Sequence, residues 1–467
     1  MMSGVLAERY ASDQMRKIWS RENKISLERD LWIMVMKAQS NAGFSIDKSV
    51  ISEYERVKST IDLISIDKRE RVLKHDVKAR IEEFNSLSGH QLIHLGMTSR
   101  DLTENVELFQ IKTSLEFIEK KALSFLYRLG EKSLSQIDTA VVARTHNVPA
   151  QVTTLGKRFA TWAEELIFAI NHLRELQKRL PLRGIKGAVG TSQDAIDLLG
   201  SPQGGIDQEI AKALGFENLA ISPSQIYPRS IDLEVLATLV QLSAAASNMA
   251  TNIRLMSGHL LVSEGFKSDQ VGSSAMPHKV NARLSERLNG LAVVLKGYAL
   301  MISEISGNQW NEGDVSCSVV RRVALPDSFY AIDAILDTAI DIIINLEIYE
   351  DAISAELKAN LPFMLSSKVL MLCVKAGIGR EEAHKIIKEH AVTASTNLRR
   401  NGENNFIELV SSDSRLGLEK ESLVKLLDTP LALTGDSKGQ VERILAEISK
   451  LIAGSDEATS YLPGEML

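Results

Sequence analysis

Hydrophobic residues recur at helical spacing along most of the chain, over stretches longer than most helices of globular proteins. Between Pro228 and Gly258 the sequence contains neither glycine nor proline. The apolar positions of this stretch are Leu233, Leu236, Leu239, Val240, Ala244, Met249, Ile253 and Met256. A helix of roughly 28 residues, at about 1.5 Å per residue, would be roughly 42 Å long. The spacing predicts a long helix of a bundle, lying either inside one chain or between several associated chains.

Four other segments are predicted to be long helices of the same central domain. They are Leu102–Ile137, Gln151–Leu180, Leu284–Ile305 and Pro326–Leu346. Shorter helical segments precede and follow them, while Val141–Ala143 and Ile185–Val189 are short enough to be strands or extended loops. The prediction is an all-α fold with an N-terminal helical domain (1–107), a central long-helix bundle (108–355) and a C-terminal helical domain (356–467).

Composition supports this fold class and excludes several classes of function. The chain has 467 residues, 44% apolar and only 5% aromatic, which favours helix over sheet and more than one domain. A net charge of −6 gives no strongly basic surface for nucleic acid. Two cysteines, Cys317 and Cys373, cannot build a disulfide framework or a metal site of cysteine pairs.

Targeting signals are not evident in the sequence. The N-terminus lacks the apolar core of a signal peptide, and no uninterrupted apolar run approaches the length of a membrane span. We therefore expect a cytoplasmic protein without membrane or nucleic-acid partners.

Four polar clusters interrupt the helical pattern and are the candidates for chemistry. They are KHDVKA (74–79), HLGMTSRD (94–101), RTHNVPAQVTT (144–154) and DQVGSSAMPHKVNARLSE (269–286). Loops that carry several polar side chains often bind ligands or catalyse reactions. Because all four clusters fall at segment ends, which can converge on one cleft, together they indicate a site.

Each cluster also has a purely structural interpretation. Asp76 could cap the helix that follows His75, and Thr98 with Asp101 is a typical start of a long helix. A lone loop histidine such as His146 more often faces solvent than takes part in catalysis. Only in the fourth cluster is function favoured from the outset, because a lysine and an asparagine accompany two serines.

Other motifs are weaker. Arg9-Tyr10 and SPSQIYPR (222–229) could bind an anionic group or form surface ion pairs. The GAVGT stretch (187–191) lacks the strand and spacing of a dinucleotide fingerprint, and the sequence contains no His-Glu-x-x-His helix. His384 and His390 lack a carboxylate pattern that would indicate a metal site.

The fourth cluster carries the most specific motif of the chain. Its GSSAMPHKVN (272–281) resembles the G-S-S-x-M-P-x-K-x-N signature of the fumarase/aspartase lyase superfamily. Other stretches are similar to the adenylosuccinate lyase branch of that superfamily, so that the resemblance spans nearly the whole chain. These are Arg9-Tyr10, KHDVKA, HLGMTSRD, RTHNVPAQVTTLGK (144–157), SPSQIYPR, QWNEGDVSCSVVRRVALPD (309–327) and GIGREEAHKII (377–387).

The resemblance implies a fold, an assembly and a reaction. Members have three-domain all-helical subunits, whose long central helices associate into a homotetrameric bundle with active sites shared among three subunits. The implied reaction releases fumarate from purine nucleotides. The substrates are adenylosuccinate, which gives AMP, and the succinyl-carboxamide ribotide of purine synthesis, which gives the carboxamide ribotide. No cofactor is implied.

The resemblance also assigns roles to residues. Ser273 resembles the base that removes the carbon-bound proton, and His146 resembles the acid that protonates the leaving nitrogen. Lys279 and Asn281 would stabilise the dianion, with the Gly272–Ser274 backbone lowering the pKa of the serine. The substrate-binding residues are Arg9, Tyr10, His75, Asp76, His94, Thr98, Ser99, Gln225, Ser274, Lys279, Asn281, Ser318 and Arg322, and the supporting residues are Lys74 and Glu286.

Two positions depart from the family pattern. Asn147 follows the acid histidine where many members have glycine, and Gly313 stands where many have an arginine. Arg321 or Arg322 could supply the missing cation. Two alternatives stay open: another superfamily enzyme, such as argininosuccinate lyase, aspartase, fumarase or a carboxymuconate-cyclising enzyme, or a non-catalytic structural member. The P-H-K form of the loop disfavours another superfamily enzyme, and the presence of Ser273 and His146 disfavours a non-catalytic member.

Overall fold

The computed structural model describes residues 4–200, 206–265, 276 and 279–464. Short helices form the first part of the described chain. They are α1 (Val5–Arg9), α2 (Asp13–Ile18), α3 (Arg21–Asn41), α4 (Lys48–Val57), α5 (Leu63–Leu73) and α6 (Asp76–Ser88). Serine or aspartate side chains accept backbone N–H groups at the starts of α2, α3, α4 and α5, which explains why these helices begin where they do.

Five long helices dominate the middle of the chain, with short elements between them. In chain order the elements are α7 (Ser99–Ser135), β1 (Ala140–Thr145), β2 (Val148–Thr154), α8 (Leu155–Arg179), β3 (Pro181–Leu182), α9 (Gln193–Leu199), α10 (Ile206–Ala213), β4 (Asn218–Leu219), α11 (Ser230–Gly258), β5 (Val262–Ser263), α12 (Arg283–Ile305), α13 (Ser316–Asn345) and β6 (Glu347–Ile348). The strands pair as an antiparallel β1–β2 hairpin, a parallel β3–β4 pair and an antiparallel β5–β6 pair.

The last part of the described chain is again short helices. They are α14 (Glu350–Met364), α15 (Ser366–Lys375), α16 (Arg380–Asn401), α17 (Phe406–Ser412), α18 (Lys420–Leu427), a 3-10 turn (Pro430–Leu433), α19 (Ser437–Ile452) and α20 (Asp456–Ser460). Helices α15 to α18 bury a small core of their own, centred on Val369, Cys373 and Phe406. Helix α19 returns to pack on α7 and α8.

Helices α7, α8, α11, α12 and α13 pack side by side around the main hydrophobic core, which confirms the predicted all-α bundle. The buried side chains of α11 and α13 are mostly apolar along the whole of both helices, and buried charges such as Asp232, Arg321 and Asp333 interrupt them. The predicted helix after Pro228 is confirmed, and α11 has 29 residues. The proposed domain limits at 107/108 and 355/356 lie inside α7 and α14 and stay a prediction.

Two predicted helix starts are wrong. Residues Gln151–Thr154 belong to strand β2, so α8 begins only at Leu155, where the Thr154 hydroxyl caps it. Helix α13 begins at Ser316 and passes through Pro326, whereas the sequence predicts a helix that begins at Pro326. Proline removes one hydrogen bond from a helix interior, and burial of the surrounding aliphatic residues outweighs that cost.

Three helical segments are long and apolar enough to cross a membrane by length and composition alone. They are Ser230–Gly258, Arg283–Ile305 and Glu350–Lys375. The sequence contains no uninterrupted apolar run long enough to span a membrane. Length and composition of the observed helices nevertheless do not exclude such a span. Helix α11 lies in the core of the bundle, whereas α12 leaves Val293 and Leu300 largely exposed. Exposed apolar patches of this kind often mark interaction surfaces.

Candidate active site

Three helices begin at one cleft of about 280 Å³, which we call the amino-end cleft. The helices are α6, α7 and α13, and their first residues line it. The lining residues are Lys24, His75, Asp76, Val77, Ser99, Arg100, Thr103, Glu107, Val315, Ser318, Val319, Arg321 and Arg322. Because the start of a helix carries a partial positive charge, three converging starts favour an anion.

His75 is the N-cap of α6, a role that the sequence had given to Asp76. Its Nδ1 accepts a hydrogen bond from the Lys78 N–H at 3.2 Å. In the neutral ring the proton therefore resides on Nε2, which is a donor. Asp76 is the first helical residue, and its side chain accepts from Val77 N–H and pairs with Arg322 at 3.2 Å. The structural interpretation of this cluster is thus partly right, yet both side chains still line the cleft.

The start of α7 is held in place from beneath. The Thr98 N–H donates to Asp101 Oδ2 at 2.7 Å, so these residues do cap the helix. Asp101 is fully buried and also accepts from the guanidinium of Arg183 and from the Lys186 and Gly187 N–H groups. Ser99 is consequently presented to the cleft by a helix end that is held firmly in place.

Arg100 joins the starts of α7 and α13. Its Nη2 donates to the Ser318 hydroxyl at 2.7 Å and to the Asp314 carbonyl at 3.2 Å, while Nη1 donates to Glu104 at 3.1 Å. The Arg100 side chain is 13% exposed, whereas that of Arg322 is 67% exposed. Sequence reasoning selected Ser318 and Arg322 but missed Arg100.

A buried ionic network supports the floor of this cleft. Glu104 accepts two hydrogen bonds of 2.8 Å from Arg229, and Arg321 donates to Glu107 and Asp232 at 2.7 Å each. Burial alone would raise the pKa of Glu107, but the neighbouring cations hold it well below its usual range. Arg321 is 3% exposed and fully engaged in these bonds, so it cannot replace the arginine missing at position 313.

Gly313 fits a tight space against the segment that carries Gln225. Its φ of 151° lies outside the range that other residues favour, and an added Cβ would be 3.2 Å from Gln225 Oε1. The Gln225 N–H donates to the Glu312 carbonyl at 3.0 Å. Gln225 therefore lies at the same end of the bundle as the amino-end cleft, but glycine leaves no cation at position 313.

His94 lies in a protected position of the N-terminal part. Its Nδ1 accepts a hydrogen bond from the Trp32 indole N–H at 3.0 Å. Burial, with smaller contributions from Lys78 and His75, lowers the pKa of His94 to about 4. At neutral pH the ring is uncharged with its proton on Nε2, which suits a hydrogen-bond donor to a substrate and excludes a proton-donating imidazolium.

The pKa of His94 predicts how stability depends on pH. Because the folded pKa of about 4 is below the unfolded value near 6.5, folding favours the neutral ring. Its contribution is fully present above pH 6.5 and is lost as pH falls towards 4, by about 3 kcal/mol at most. We expect His94→Gln to flatten this part of the profile in urea titrations at pH 4.5 and 7.5. Equal pH slopes for parent and variant would contradict the assignment.

His146 is at the tip of the β1–β2 hairpin. Thr145 pairs with Val148, leaving His146 and Asn147 as a two-residue turn with φ of 52° and 61°. This is a type I′ geometry, in which asparagine is among the best non-glycine residues. Asn147 therefore keeps the backbone shape that glycine would give, which resolves the first departure noted in the sequence. The His146 side chain is exposed.

The hairpin is fixed at its base. Gly156, just after β2, approaches the end of α7 so closely that an added Cβ would be 2.4 Å from the Ser133 carbonyl. Arg144 pairs with Glu356 of α14 at 2.5 Å. A cleft of about 550 Å³, the hairpin cleft, lies beside it and is lined by Arg144, Asn147, Arg158 and His259 among others.

Lys279, Asn281 and Glu286 line a third cleft of about 820 Å³, the loop cleft, at the start of α12. Glu264 caps this helix by accepting from the Leu284 and Ser285 N–H groups, at 2.9 and 2.6 Å. The described residues lining this cleft include no histidine that Glu286 could orient, so its role stays a prediction. Ser273 and Ser274, the predicted base and its neighbour, lie outside the described residues.

The remaining predicted residues are scattered. Tyr10 is half-buried, with the Arg287 guanidinium 5.8 Å from its ring centre, near the start of α12. Arg9 and Lys74 are exposed. Lys74 ends α5 in a left-handed conformation with φ of 54°.

The amino-end cleft lies at one end of the bundle, and the hairpin and loop clefts lie at the other. Helix α7 has 37 residues, which at about 1.5 Å each separate Ser99 from the hairpin by roughly 55 Å. Helix α11, of 29 residues, likewise separates the Gln225 segment from the hairpin cleft by about 44 Å. The hairpin and loop clefts are neighbours, since both are lined by Leu255. One chain therefore does not bring His146 to Ser99 or Ser318.

Comparison with known proteins decides the family. Residues 8–297 match the Lyase family, and residues 362–444 match the adenylosuccinate lyase C-terminus. The chain is 32% identical over 449 residues to adenylosuccinate lyase of Saccharomyces cerevisiae, covering 94% of this chain and 93% of the yeast protein. It is also 32% identical to the Schistosoma mansoni adenylosuccinate lyase, over 94% and 93% of the two chains. The chain belongs to the adenylosuccinate lyase family. The similarity over most of the chain thus supports the lyase activity that the signature at 272–281 indicates.

Solved structures agree on the fold of this lyase. The 3-carboxy-cis,cis-muconate lactonizing enzyme of Pseudomonas putida superposes with a TM-score of 0.85 at 21% identity, covering 96% of this chain and all (100%) of that one. A fumarate lyase of Mesorhizobium superposes with a TM-score of 0.81 at 19% identity, over 96% and 100%. In the part of the chain that the structure describes, no group of three or more His, Cys, Asp or Glu side chains is placed to hold a metal ion.

Proposed function

We propose that this lyase eliminates fumarate from adenylosuccinate, giving AMP, and from the succinyl-carboxamide ribotide, giving the carboxamide ribotide. The observation that carries the proposal is the 32% identity to adenylosuccinate lyases over 94% of the chain. The amino-end cleft supports it, because three helix starts with Arg100, Ser318 and Arg322 suit the anionic groups of a nucleotide.

The chemistry follows from the needs of the reaction. Ser273, with its hydroxyl deprotonated beforehand, takes a proton from the carbon beside a carboxylate, the electron pair forms the fumarate double bond, and the carbon–nitrogen bond breaks. His146 gives its proton to the departing nitrogen, a task suited to an imidazole side chain. Lys279 and Asn281 stabilise the negative charge that develops on the carboxylate. Thr98 and Ser99 donate to the succinyl group, while Arg9, Tyr10, Ser318 and Arg322 hold the nucleotide, with His75, His94 and Gln225 orienting it.

The site is proposed to form between copies of the chain. The apolar side chains Val293, Leu300 and Val319 of α12 and α13 are 69%, 64% and 71% exposed, and another copy could cover them. Antiparallel association of two bundles would place the hairpin and loop clefts of one copy beside the amino-end cleft of another. We propose a homotetramer acting in the cytoplasm, with α12 buried between subunits.

Fumarate release tests the proposal. The purified protein is incubated with adenylosuccinate, and in parallel with argininosuccinate, aspartate and malate, while fumarate or the ultraviolet change is followed. We expect turnover of adenylosuccinate only. Turnover of argininosuccinate instead would favour the first alternative, and no turnover of any of the four would favour a structural role. Light scattering on the same sample measures the number of subunits.

A further inference from the structure

We propose that Arg100 binds the phosphate of the nucleotide and supplies the cation that position 313 lacks. The inference rests on the proposed function and adds a binding residue to it. Arg100 comes from the second residue of α7, Ser318 from the first turn of α13, and the two side chains meet in the amino-end cleft.

The hydrogen bonds of Arg100 orient Ser318 towards a ligand. The Ser318 hydroxyl oxygen accepts from Arg100 Nη2 at 2.7 Å, so its own proton is directed elsewhere. The ligand side of the cleft then presents a guanidinium and a hydroxyl donor to the same anion, while the first N–H of α13 is already bonded to the Asp314 carboxylate. Phosphate oxygens accept from both kinds of side-chain donor, and a planar guanidinium suits them well.

Arg100 is the most accessible guanidinium of the network beneath the cleft. Arg229 and Arg321 are 2% and 3% exposed and are held by the buried carboxylates of Glu104 and Asp232, whereas the Arg100 side chain is 13% exposed. Because the Asp314 carboxylate also acts on Arg100, the position of this guanidinium in the cleft, and not an excess of charge, favours a phosphate.

Rigidity distinguishes Arg100 from Arg322. Arg100 is 13% exposed and held by three hydrogen bonds, whereas Arg322 is 67% exposed and contacts Asp76 at 3.2 Å. A guanidinium that is already in place loses little entropy when the ligand arrives. Arg100 is therefore the specific contact and Arg322 the mobile one.

The test compares binding of AMP, adenosine and fumarate to the assembled protein by calorimetry, for the parent, Arg100→Gln and Arg100→Lys. Because Arg100→Gln removes one charged hydrogen-bonding group, we expect its affinity for AMP to fall about 10- to 100-fold. The affinity should recover in part in Arg100→Lys. Binding of adenosine and of fumarate should change less than twofold. In turnover, KM for adenylosuccinate should rise by about the same factor as the dissociation constant of AMP, and kcat should change little.

A matched control separates binding from packing. Arg174 also pairs with a glutamate of α7, Glu119, at 2.6 Å, but is absent from the lining of all three clefts. Arg174→Gln should leave AMP binding unchanged. AMP binding that is unaffected in Arg100→Gln, or weakened equally with adenosine, would overturn the proposal. If the parent releases no fumarate yet binds AMP through Arg100, only the proposed function fails; a parent that does not bind AMP overturns the role of Arg100.

Discussion

Replacing His146 by glutamine is expected to lower kcat for adenylosuccinate by about 10²- to 10⁴-fold, the usual contribution of a general acid. Glutamine can still donate a hydrogen bond, but it cannot give up a proton to the leaving nitrogen. KM should change little, because the exposed tip of the β1–β2 hairpin acts on the bond that breaks rather than on the nucleotide. Steady-state rates from pH 6 to 9 provide the measurement.

Two comparisons make this result specific. The turn at His146 needs φ of 52°, so a change of hairpin shape must be excluded by circular dichroism and light scattering on the variant. His384, exposed on α16 and outside the lining of the three clefts, gives the control variant His384→Gln, which should keep the parental rate. A kcat within threefold of the parent for His146→Gln would show that the proton comes from another group.

Replacing Lys121 by methionine is expected to lower the free energy of unfolding by about 3 to 5 kcal/mol, because it leaves buried carboxylates without their cation. Lys121 is fully buried on α7 and pairs with Asp333 and with Asp337, the latter at 2.7 Å. Ser12 N–H donates to Asp333 at 2.7 Å and the Tyr461 hydroxyl donates to Asp337 at 2.8 Å. The cluster thus ties both ends of the described chain to the bundle.

The neighbouring lysine provides the control. Lys120 pairs with Glu457 at 3.1 Å, with side chains 35% and 89% exposed, so Lys120→Met should cost less than about 1 kcal/mol. Burial raises the pKa of Asp337 to about 6 even though Lys121 is next to it, which shows that this buried carboxylate is costly to ionise. Adding Asp337→Asn to Lys121→Met removes that carboxylate and should restore part of the lost free energy of unfolding. Urea titrations at one protein concentration measure all three variants. Equal losses for Lys120→Met and Lys121→Met would contradict the role of the cluster.

Sequence pattern predicts the long helices well where aliphatic spacing is the dominant signal. Helix α11 and most of α7 and α12 follow it within a few residues. The pattern fails where local signals and tertiary contacts conflict. Residues Gln151–Thr154 look like the first turn of α8 but pair with β1, and Pro326 looks like a helix start but lies inside α13.

The candidate site is only partly predictable, because the sequence does not report which helix starts meet. The resemblance selected His75, Ser99, Ser318 and Arg322, all of which the structure brings to one cleft. The sequence carries no separate signal for Arg100, because Thr98 and Asp101 on either side of it already fit a helix start. Arg321 illustrates the opposite error, because an arginine that looked available in the sequence is consumed by buried carboxylates.

Mixing two impaired variants tests the central claim, that one catalytic site takes residues from opposite ends of different chains. His146→Gln removes a residue of the hairpin end, and Arg100→Gln, which is expected to raise KM, removes one of the amino-end cleft. Both are unfolded together in equal amounts, refolded, and assayed for fumarate release at low adenylosuccinate concentration. If each site draws the two residues from different copies, about a quarter of the sites regain both, and about a quarter of the parental activity returns. Activity no higher than that of the separate variants would contradict the claim.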